Sequence, residues 1–168
     1  MLLKKYNMFV ESLKETKVIF LDIDGVINIT KEDNGVDEYG QIFNKKFVSN
    51  LRYIIEHTGA KIVISSTWRS SGLQIMKEMW IKRGLPGEVI GITPDEIDVV
   101  ESGEYGCEYY DLVKRGHEIQ YYIDSHNIKN YVILDDVPDF LDNQLRRFVH
   151  TYKGLDDLSA EMAVDILS

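Results

Sequence analysis

The chain has little cysteine, little positive charge and no long apolar run. Cys107 is the single cysteine among 168 residues, so an internal disulfide is excluded and we expect a reducing intracellular compartment. The 19 basic residues are outnumbered by 28 acidic ones, which leaves a formal net charge of -9. This balance disfavours a broad electrostatic grip on nucleic acid, although a local basic groove is compatible with it.

The apolar residues near the N-terminus are interrupted by Lys4, Lys5, Asn7 and Glu11, so this stretch lacks the continuous apolar core of a signal peptide. No apolar stretch reaches the length of a membrane span. We therefore predict a cytoplasmic protein without a membrane partner. An apolar content of 44 % over this length fits one domain, residues 1–168, with a sizeable core.

Short apolar runs alternate with helical patterns along most of the chain. Residues 17–22, 60–66, 87–93 and 131–136 are predicted strands, and residues 147–151 are a candidate fifth. Helical periodicity covers residues 2–13, the stretch from Asn44 to Gly59, the stretch before Gly84, residues 116–125 and residues 155–167. The alternation predicts an α/β fold, with a doubly wound parallel sheet covered by helices on both faces.

Two of the predicted helices have a defined apolar face. We expect Ser70 or Ser71 to cap the helix that ends at Gly84. Its apolar face is expected to consist of Leu73, Met76, Trp80 and Ile81. The apolar face of the last helix is expected to consist of Leu158, Met162 and Ile166. The polar segments 29–43 and 95–113 are predicted to be small inserts or flaps.

Three of the predicted strands end in residues that carry side-chain oxygens. These residues are Asp22, Asp24, Ser65, Ser66, Asp135 and Asp136. In a parallel sheet the carboxyl ends of the strands meet at one edge, where α/β proteins place their ligands. Carboxylates gathered at one edge repel each other without a cation, and Mg²⁺ prefers oxygen ligands. The sequence therefore predicts a magnesium site at this edge.

The spacing of Asp22 and Asp24 supports a division of labour between two carboxylates. One could attack a phosphorus atom and form an aspartyl-phosphate. The other could protonate the leaving oxygen and later deprotonate water. Gly25 would permit the sharp turn of the backbone that such a site needs.

A phosphoryl group at this edge would need donors and a positive charge. The Ser65 hydroxyl is a candidate donor, and Lys114 or Arg115 is a candidate cation. Arg69 lies near the same edge, where a substrate contact and a surface salt bridge explain it equally well. Trp68, like Trp80, is predicted to be a core residue.

Four segments resemble, in order, the four motifs of the haloacid dehalogenase (HAD) superfamily of phosphotransferases. They are FLDIDGVIN, IVISSTWR, KRGHEI and YVILDD, and the resemblance covers about residues 18–151. The chain is most similar to the HAD domain of Swiss Army Knife RNA repair proteins, which shares an SSTWR-like second motif and the paired aspartates of the fourth. The resemblance implies a Rossmann-like, three-layer sandwich with a minimal cap, and a Mg²⁺-dependent phosphatase.

The resemblance also implies which residues carry out the reaction. Asp22 is the expected nucleophile, and Asp24 the expected general acid and base. Ser65 is the expected phosphate-binding hydroxyl, with Ser66 as a rival. Arg115 is the expected cation of the third motif, although the superfamily more often has lysine there, so that Lys114 is also a candidate.

The expected metal ligands are Asp22, the main-chain carbonyl of Asp24, and Asp135 or Asp136. Further contacts with the substrate are expected from Ser66, Arg69, Lys114 and Asn28. The assignments of the metal ligands follow from the resemblance.

Neither insert is long enough for an independent cap domain, so we expect an open site. Such a site accepts a phosphate on a nucleic-acid end as well as a small phosphomonoester. The resemblance favours the nucleic-acid end, and the net charge weakly opposes it. The alternative is a non-catalytic phosphate-binding or regulatory domain similar to a response-regulator receiver, which has no need of an acid and base at Asp24.

Overall fold

The computed structural model describes residues 16–29, 34–95 and 114–168. Five strands form its main sheet: β1 (Lys17–Leu21), β4 (Lys61–Ile64), β5 (Val89–Ile92), β6 (Asn130–Asp135) and β7 (Phe148–His150). A separate antiparallel hairpin consists of β2 (Val36–Asp37) and β3 (Gly40–Gln41). The main sheet has the order β5-β4-β1-β6-β7 and is parallel throughout.

The helices of the described residues are α1 (Lys45–Thr58), α2 (Leu73–Lys82), α3 (Lys114–His126) and α4 (Asp157–Leu167). Short 3-10 segments cover Thr67–Ser71 and Leu145–Arg147. The α1 helix begins as the sequence predicts, because the Asn44 side chain accepts hydrogen bonds from the first-turn amides, and it ends at Gly59 in the left-handed conformation.

The sheet is buried on both faces. One face packs against α1, α2 and α4 in a core that includes Ile19 and Leu21 of β1. The other face packs against α3 in a second core that includes Val18 and Phe20. Successive side chains of β1 therefore point to opposite cores. The predicted α/β fold with a doubly wound parallel sheet is confirmed.

Strand β1 occupies the centre of the sheet, with β4 on one side and β6 on the other. The chain proceeds from β1 outward to β5 and then returns to β6, so the strand order reverses next to β1. Leu21 pairs with Ile64 of β4 and with Leu134 of β6. The residues that follow these three strands are consequently neighbours at the carboxyl edge, where ligands of doubly wound sheets bind.

The predicted start of α2 is wrong. Residues 67–71 form a 3-10 turn, which delays the helix, so Gly72 precedes α2 and no side chain caps it. The buried face of α2 consists of Met76, Met79 and Trp80, while Ile81 is 81 % exposed. Met76 and Trp80 are thus buried as predicted, and Leu73 packs against the same core. The prediction is wrong only at Ile81, whose place in the face is taken by Met79.

The predicted face of α4 is right at Ile166, which packs against the core, and wrong at Leu158 and Met162. Leu158 is 65 % exposed and Met162 is 45 % exposed, whereas Ala160 and Ala163 are buried. The helix packs against α1 and β6, and small side chains allow it to approach them closely. Asp156 caps α4 by accepting a hydrogen bond from the Ser159 amide at 2.8 Å.

The predicted N-terminal helix, Cys107 and almost all of the insert at 95–113 lie outside the described residues. Within 29–43 the structure contains the β2–β3 hairpin. Across the described ranges, no helix combines the length and apolar character needed to cross a membrane.

Candidate active site

Asp22, Ser65 and Asp135 meet at the carboxyl edge of the sheet. Asp22 follows β1, Ser65 follows β4, and Asp135 ends β6. The ladder continues between them, since the Asp22 amide donates to Leu134 O at 3.0 Å and the Ser65 amide donates to Leu21 O at 2.8 Å. All three residues are buried, which makes any charge on them costly without compensation.

Arg115, in the first turn of α3, supplies a positive charge to this edge. Its Nη1 donates to Asp135 Oδ2 at 3.0 Å and to the Ser65 carbonyl at 2.5 Å. The same nitrogen lies 3.2 Å from Asp22 Oδ1. One guanidinium thus joins the predicted nucleophile, the second motif and the fourth motif. Lys114, the other predicted cation, begins α3, and its side chain is outside the described structure.

A single guanidinium leaves this cluster with excess negative charge. Burial raises the pKa of Asp22 above its ordinary value, although Arg115 opposes the shift. Burial and then the neighbouring charge of Asp22 raise the pKa of Asp135 to about 7, again against Arg115. Two buried carboxylates beside one cation are the arrangement in which a further cation is favourable.

The carboxylates can converge on such a cation. Asp22, Asp135 and Asp136 each offer an oxygen, and these oxygens lie within 4.8 Å of one another. Asp136 is the most exposed of the three. An all-oxygen set containing carboxylates suits Mg²⁺, which keeps several waters and binds substrate phosphate. The residues present therefore fit the metal that the sequence predicts.

Gly25 allows the Asp136 carboxylate to come close to the turn after β1. Its φ of +81° is in the left-handed region, and a Cβ at this position would lie 2.2 Å from Asp136 Cγ and Oδ2. A side chain of any kind would therefore displace the carboxylate. The glycine of the first motif therefore makes room for the Asp136 carboxylate beside the turn.

Asp24 is held by two side-chain donors. Asn28 Nδ2 donates to Asp24 Oδ1 at 2.6 Å, and Trp68 Nε1 donates to Asp24 Oδ2 at 2.9 Å. The turn from Asp24 to Asn28 is closed by the Gly25 amide, which donates a hydrogen bond to the Asn28 carbonyl at 2.7 Å. Asp24 thus has a fixed orientation, with one oxygen bound by its own turn and the other by the segment after β4.

Trp68 is the site residue that the sequence analysis missed, because a tryptophan near an apolar strand is usually a core residue. Its ring does pack, edge-on against Phe43 at a centroid distance of 5.4 Å, but its N–H points to Asp24. The available signal was its place in the second motif, three residues after Ser65. Asn28, predicted to bind substrate, donates to Asp24, and its buried Oδ1 has no hydrogen-bond partner among the described residues.

The hydroxyls of Ser65 and Ser66 are buried, and no described residue is in hydrogen-bonding geometry with either of them. The Ser66 hydroxyl is nevertheless close enough to Asp22 to lower its pKa, in opposition to burial. Unpaired buried hydroxyls are uncommon, because each one loses its hydrogen bonds to water. Both serines can therefore provide donors to oxygens brought in by a ligand.

Arg69 is also buried, with 5 % of its side chain exposed. Its Nη2 contacts Glu118 Oε2 at 2.9 Å and Asp95 Oδ1 at 3.0 Å. Glu118 is buried as well, and its charge raises the pKa of Arg115. Arg69 is thus part of an internal ion pair beside the Asp22 cluster, neither a surface salt bridge nor a member of that cluster.

Comparisons with known proteins bear on what this cluster does. A family model described as the HAD domain in Swiss Army Knife RNA repair proteins matches residues 18–160. No curated protein sequence matches the chain at a significant level. A solved structure from Legionella pneumophila, classed with HAD superfamily (subfamily III A) hydrolases, is similar at 13 % identity and a TM-score of 0.41, covering 99 % of this chain and 91 % of its own. A likeness that distant carries no weight by itself.

Proposed function

The chain belongs to the family of HAD domains found in Swiss Army Knife RNA repair proteins, and on that premise we propose that it is a Mg²⁺-dependent phosphomonoester hydrolase. The observation that carries the proposal is the contact of Arg115 Nη1 with both Asp22 and Asp135. It places a permanent cation between the carboxylate proposed to attack phosphorus and the carboxylate proposed to bind metal.

The first half of the proposed reaction transfers the phosphoryl group to the protein. An Asp22 carboxylate oxygen forms a bond to phosphorus, and the bond from phosphorus to the ester oxygen breaks. Asp24 donates a proton to that departing oxygen, which leaves as an alcohol. Asn28 and Trp68 hold the Asp24 carboxyl group in one orientation, so that its proton is directed to a fixed point.

The second half returns Asp22 to its starting state. Asp24, now a carboxylate, accepts a proton from water, and the water oxygen forms a bond to phosphorus. The bond between phosphorus and Asp22 breaks, and inorganic phosphate leaves. The same residue acts as acid and then as base, which requires that it stay close to the entering and leaving oxygens. Its two side-chain donors provide this restraint.

The phosphoryl oxygens would be held by two serine hydroxyls and by one arginine that already contacts Asp22. The hydroxyls of Ser65 and Ser66 supply donors, and Arg115 supplies charge. Asp22, Asp135 and Asp136 would hold Mg²⁺ together with the Asp24 main-chain carbonyl. When bound, this ion neutralises the carboxylates and the charge that develops on the phosphoryl group.

The proposed substrate is a phosphomonoester whose alcohol reaches beyond the site, either the end of a nucleic acid or a small molecule. In the described part of the first insert only the small β2–β3 hairpin is present, which fits a site open to large substrates. The family supports a nucleic-acid end. A non-catalytic, receiver-like domain is less well supported, because it has no use for a carboxylate restrained at Asp24.

The proposal is tested by phosphate release from a chromogenic phosphomonoester with and without Mg²⁺. We expect turnover that depends on Mg²⁺ and falls by at least about a thousandfold in Asp22→Asn, since the amide is a poor nucleophile. The control is Asp37→Asn, which removes a carboxylate outside the Asp22 cluster. This carboxylate is paired with Arg83 at an N–O distance of 2.6 Å. Turnover that survives Asp22→Asn would contradict the role of Asp22 as the nucleophile. If the parent protein showed no turnover with any metal or substrate, the non-catalytic phosphate-binding domain would be favoured instead.

A further inference from the structure

A second concave feature lies beside the Asp22 cluster. It is a cleft of about 520 Å³ between the 3-10 turn after β4, the end of β5 and the outer side of α3. Its walls include Arg69, Leu73, Ile92, Thr93, Tyr121 and His126. None of the carboxylates at Asp22, Asp24, Asp135 or Asp136 lines it. Its volume is in the range of pockets that hold small molecules.

The cleft has buried polar atoms that lack partners. Thr93 is 1 % exposed, and its Oγ1 makes no hydrogen bond to any described residue. Arg69 Nε and Nη1 are likewise buried without a partner in the described part of the chain. Each such group costs free energy in the folded protein, and a ligand with acceptor atoms would recover it. Two residues that both line the cleft therefore favour the same kind of ligand, one rich in hydrogen-bond acceptors.

The charges around Arg69 decide what kind of acceptor fits. Glu118 and Asp95 both contact Arg69 Nη2, so the guanidinium already faces two carboxylates. A second phosphate placed here would meet that negative charge at close range. A neutral acceptor, such as a ring carbonyl or a ring nitrogen, takes a hydrogen bond from the guanidinium or the hydroxyl without this repulsion.

The remaining walls are aromatic or aliphatic and suit the apolar faces of a flat ring. Tyr122 and His126 stack on each other with centroids 3.9 Å apart and planes 11° apart, and both line the cleft. Tyr121 is 56 % exposed at its mouth, and Leu73 and Ile92 supply aliphatic surface. Aromatic side chains stack on nucleobases with little preference for sequence.

Two features connect the cleft to the proposed reaction centre: the segment that contains Ser66 and Arg69, and the charge of Glu118. The Arg69 amide donates to the Ser66 carbonyl at 3.0 Å, one residue from the carbonyl that Arg115 contacts. Glu118 lies between the two arginines, since it pairs with Arg69 and acts on Arg115. The cleft and the Asp22 cluster therefore share the segment after β4 and the buried carboxylate of Glu118.

We propose that the cleft formed around Arg69, Thr93 and Tyr121 is a subsite for the nucleobase of the nucleotide whose phosphate is removed. This inference rests on the proposed hydrolase and specifies its substrate: a terminal nucleotide, recognised by neutral acceptors on its base and not by a neighbouring phosphate. The aliphatic and aromatic walls provide stacking, and the Thr93 hydroxyl and the Arg69 guanidinium provide donors.

Thr93→Val tests the subsite, because it exchanges a buried, unpaired hydroxyl for a methyl group of similar shape. We expect the melting temperature to stay the same or rise. We expect KM for nucleoside monophosphates to rise about fivefold, the equivalent of one lost hydrogen bond, with kcat unchanged. KM for glycerol phosphate, which has no base, should not change. An equal change for both substrates, or no change for either, would overturn the subsite.

Tyr121→Ala tests the stacking wall independently. We expect KM for nucleoside monophosphates to rise about tenfold, again without an effect on glycerol phosphate. Tyr53→Ala is the matched control, because Tyr53 is a similarly exposed tyrosine on α1, where it contacts His57. If Tyr53→Ala raised KM as much as Tyr121→Ala, the effect would not belong to the cleft and the proposal would fail.

Binding of nucleosides that carry no phosphate separates the subsite from the reaction. NMR titration of the parent protein with nucleosides should shift resonances of Thr93 and Tyr121, and Thr93→Val should weaken the binding. Binding without hydrolysis of any phosphomonoester would support the subsite and contradict the hydrolase. Hydrolysis of glycerol phosphate without nucleoside binding would support the hydrolase and overturn the subsite. Inorganic phosphate that saturates the same resonances would overturn it too, in favour of an anion site.

Discussion

The carboxylate of Asp24 is restrained on both of its oxygens, by Asn28 at 2.6 Å and by Trp68 at 2.9 Å. A proton donor that must serve two successive steps benefits from such restraint, because it stays aligned while the phosphoryl group is transferred. The indole N–H of Trp68 comes from the segment after β4. It therefore connects the first motif to the second, and it is a positioning residue in the proposed reaction.

Trp68→Phe keeps a ring against Phe43 and removes the N–H. We expect kcat to fall about tenfold, the effect of one hydrogen bond to a reacting group, while Mg²⁺ affinity and KM change little. Steady-state kinetics and a metal titration check this. The matched control is Trp80→Phe, which removes an indole N–H bonded to the Pro86 carbonyl at 2.8 Å. It should lower stability and leave kcat unchanged. A loss of kcat that is equal in both variants would contradict the role of Trp68.

Individual side-chain partners were the part of the site that the sequence predicted least well. The structure brings Asp22, Ser65 and Arg115 together, as expected of residues whose motifs directly follow a strand or open a helix. Trp68 was assigned to the core, because its hydrogen bond depends on how two separate turns face each other. Such a relation has no signature in either segment taken alone.

The turn after β1 is the element that gives the metal cluster its shape. Gly25 N–H closes the turn on Asn28 O at 2.7 Å, and the absence of a Cβ leaves room for the Asp136 carboxylate. Asp22 therefore directly follows β1, and the chain then turns at Gly25. The backbone of this turn lies against Asp136 of the fourth motif.

Gly25→Ala should damage both stability and metal binding. We expect a loss of about 1–3 kcal/mol of folding free energy from the positive φ and a loss of Mg²⁺ affinity of more than about tenfold, because the added Cβ displaces Asp136. Calorimetric metal titration and thermal unfolding measure the two effects. Gly59→Ala is the control, since its φ is +69° and nothing lies within 4 Å of the added Cβ. It should lower stability alone, and unchanged Mg²⁺ affinity in Gly25→Ala would contradict the account.

The helices show where periodicity is a sufficient guide and where it is not. For α1, the cap at Asn44 and the end at Gly59 follow from the sequence. For α4, the large apolar side chains suggest one face, but close packing against α1 places Ala160 and Ala163 inside. Close approach of two helices selects small residues, and hydrophobicity alone does not reveal it.

At the scale of the whole molecule, we expect the acidic cluster to make the free energy of unfolding depend on pH and on Mg²⁺. Burial raises the pKa of Asp22, and burial with the charge of Asp22 raises that of Asp135 to about 7. Between the ordinary aspartate pKa of about 4 and this value, the folded, metal-free protein keeps protons that the unfolded chain has released. Its stability should therefore fall as pH rises through this window.

Mg²⁺ should reverse that loss, because it replaces the protons. We expect Mg²⁺ to raise the melting temperature more at about pH 8 than at about pH 5.5, where protons compete for the carboxylates. Thermal unfolding with Mg²⁺ and with a chelator at both pH values checks this. In Asp135→Asn the difference between the two pH values should shrink. An equal effect of Mg²⁺ at both pH values would contradict the proposed ligands.

The overall architecture was the best predicted level. The apolar runs identified every strand of the main sheet, and strand ends rich in oxygens indicated the functional edge. The HAD family match over residues 18–160 and the parallel order β5-β4-β1-β6-β7 together confirm the Rossmann-like fold. Patterns that repeat over a whole strand or helix can be recognised in the sequence, whereas contacts between distant turns cannot.

The central claim is that Asp22 carries the phosphoryl group during turnover. Acid quenching during turnover of a phosphomonoester with Mg²⁺, followed by borohydride reduction and peptide mass spectrometry, tests it directly, because an acyl phosphate is reduced to an alcohol. The account predicts that Asp22 alone is converted to homoserine. With a nitrophenyl ester, whose leaving group needs no proton, Asp24→Asn should increase the converted fraction by slowing the attack of water. Conversion of another residue, or none during measurable turnover, would contradict it.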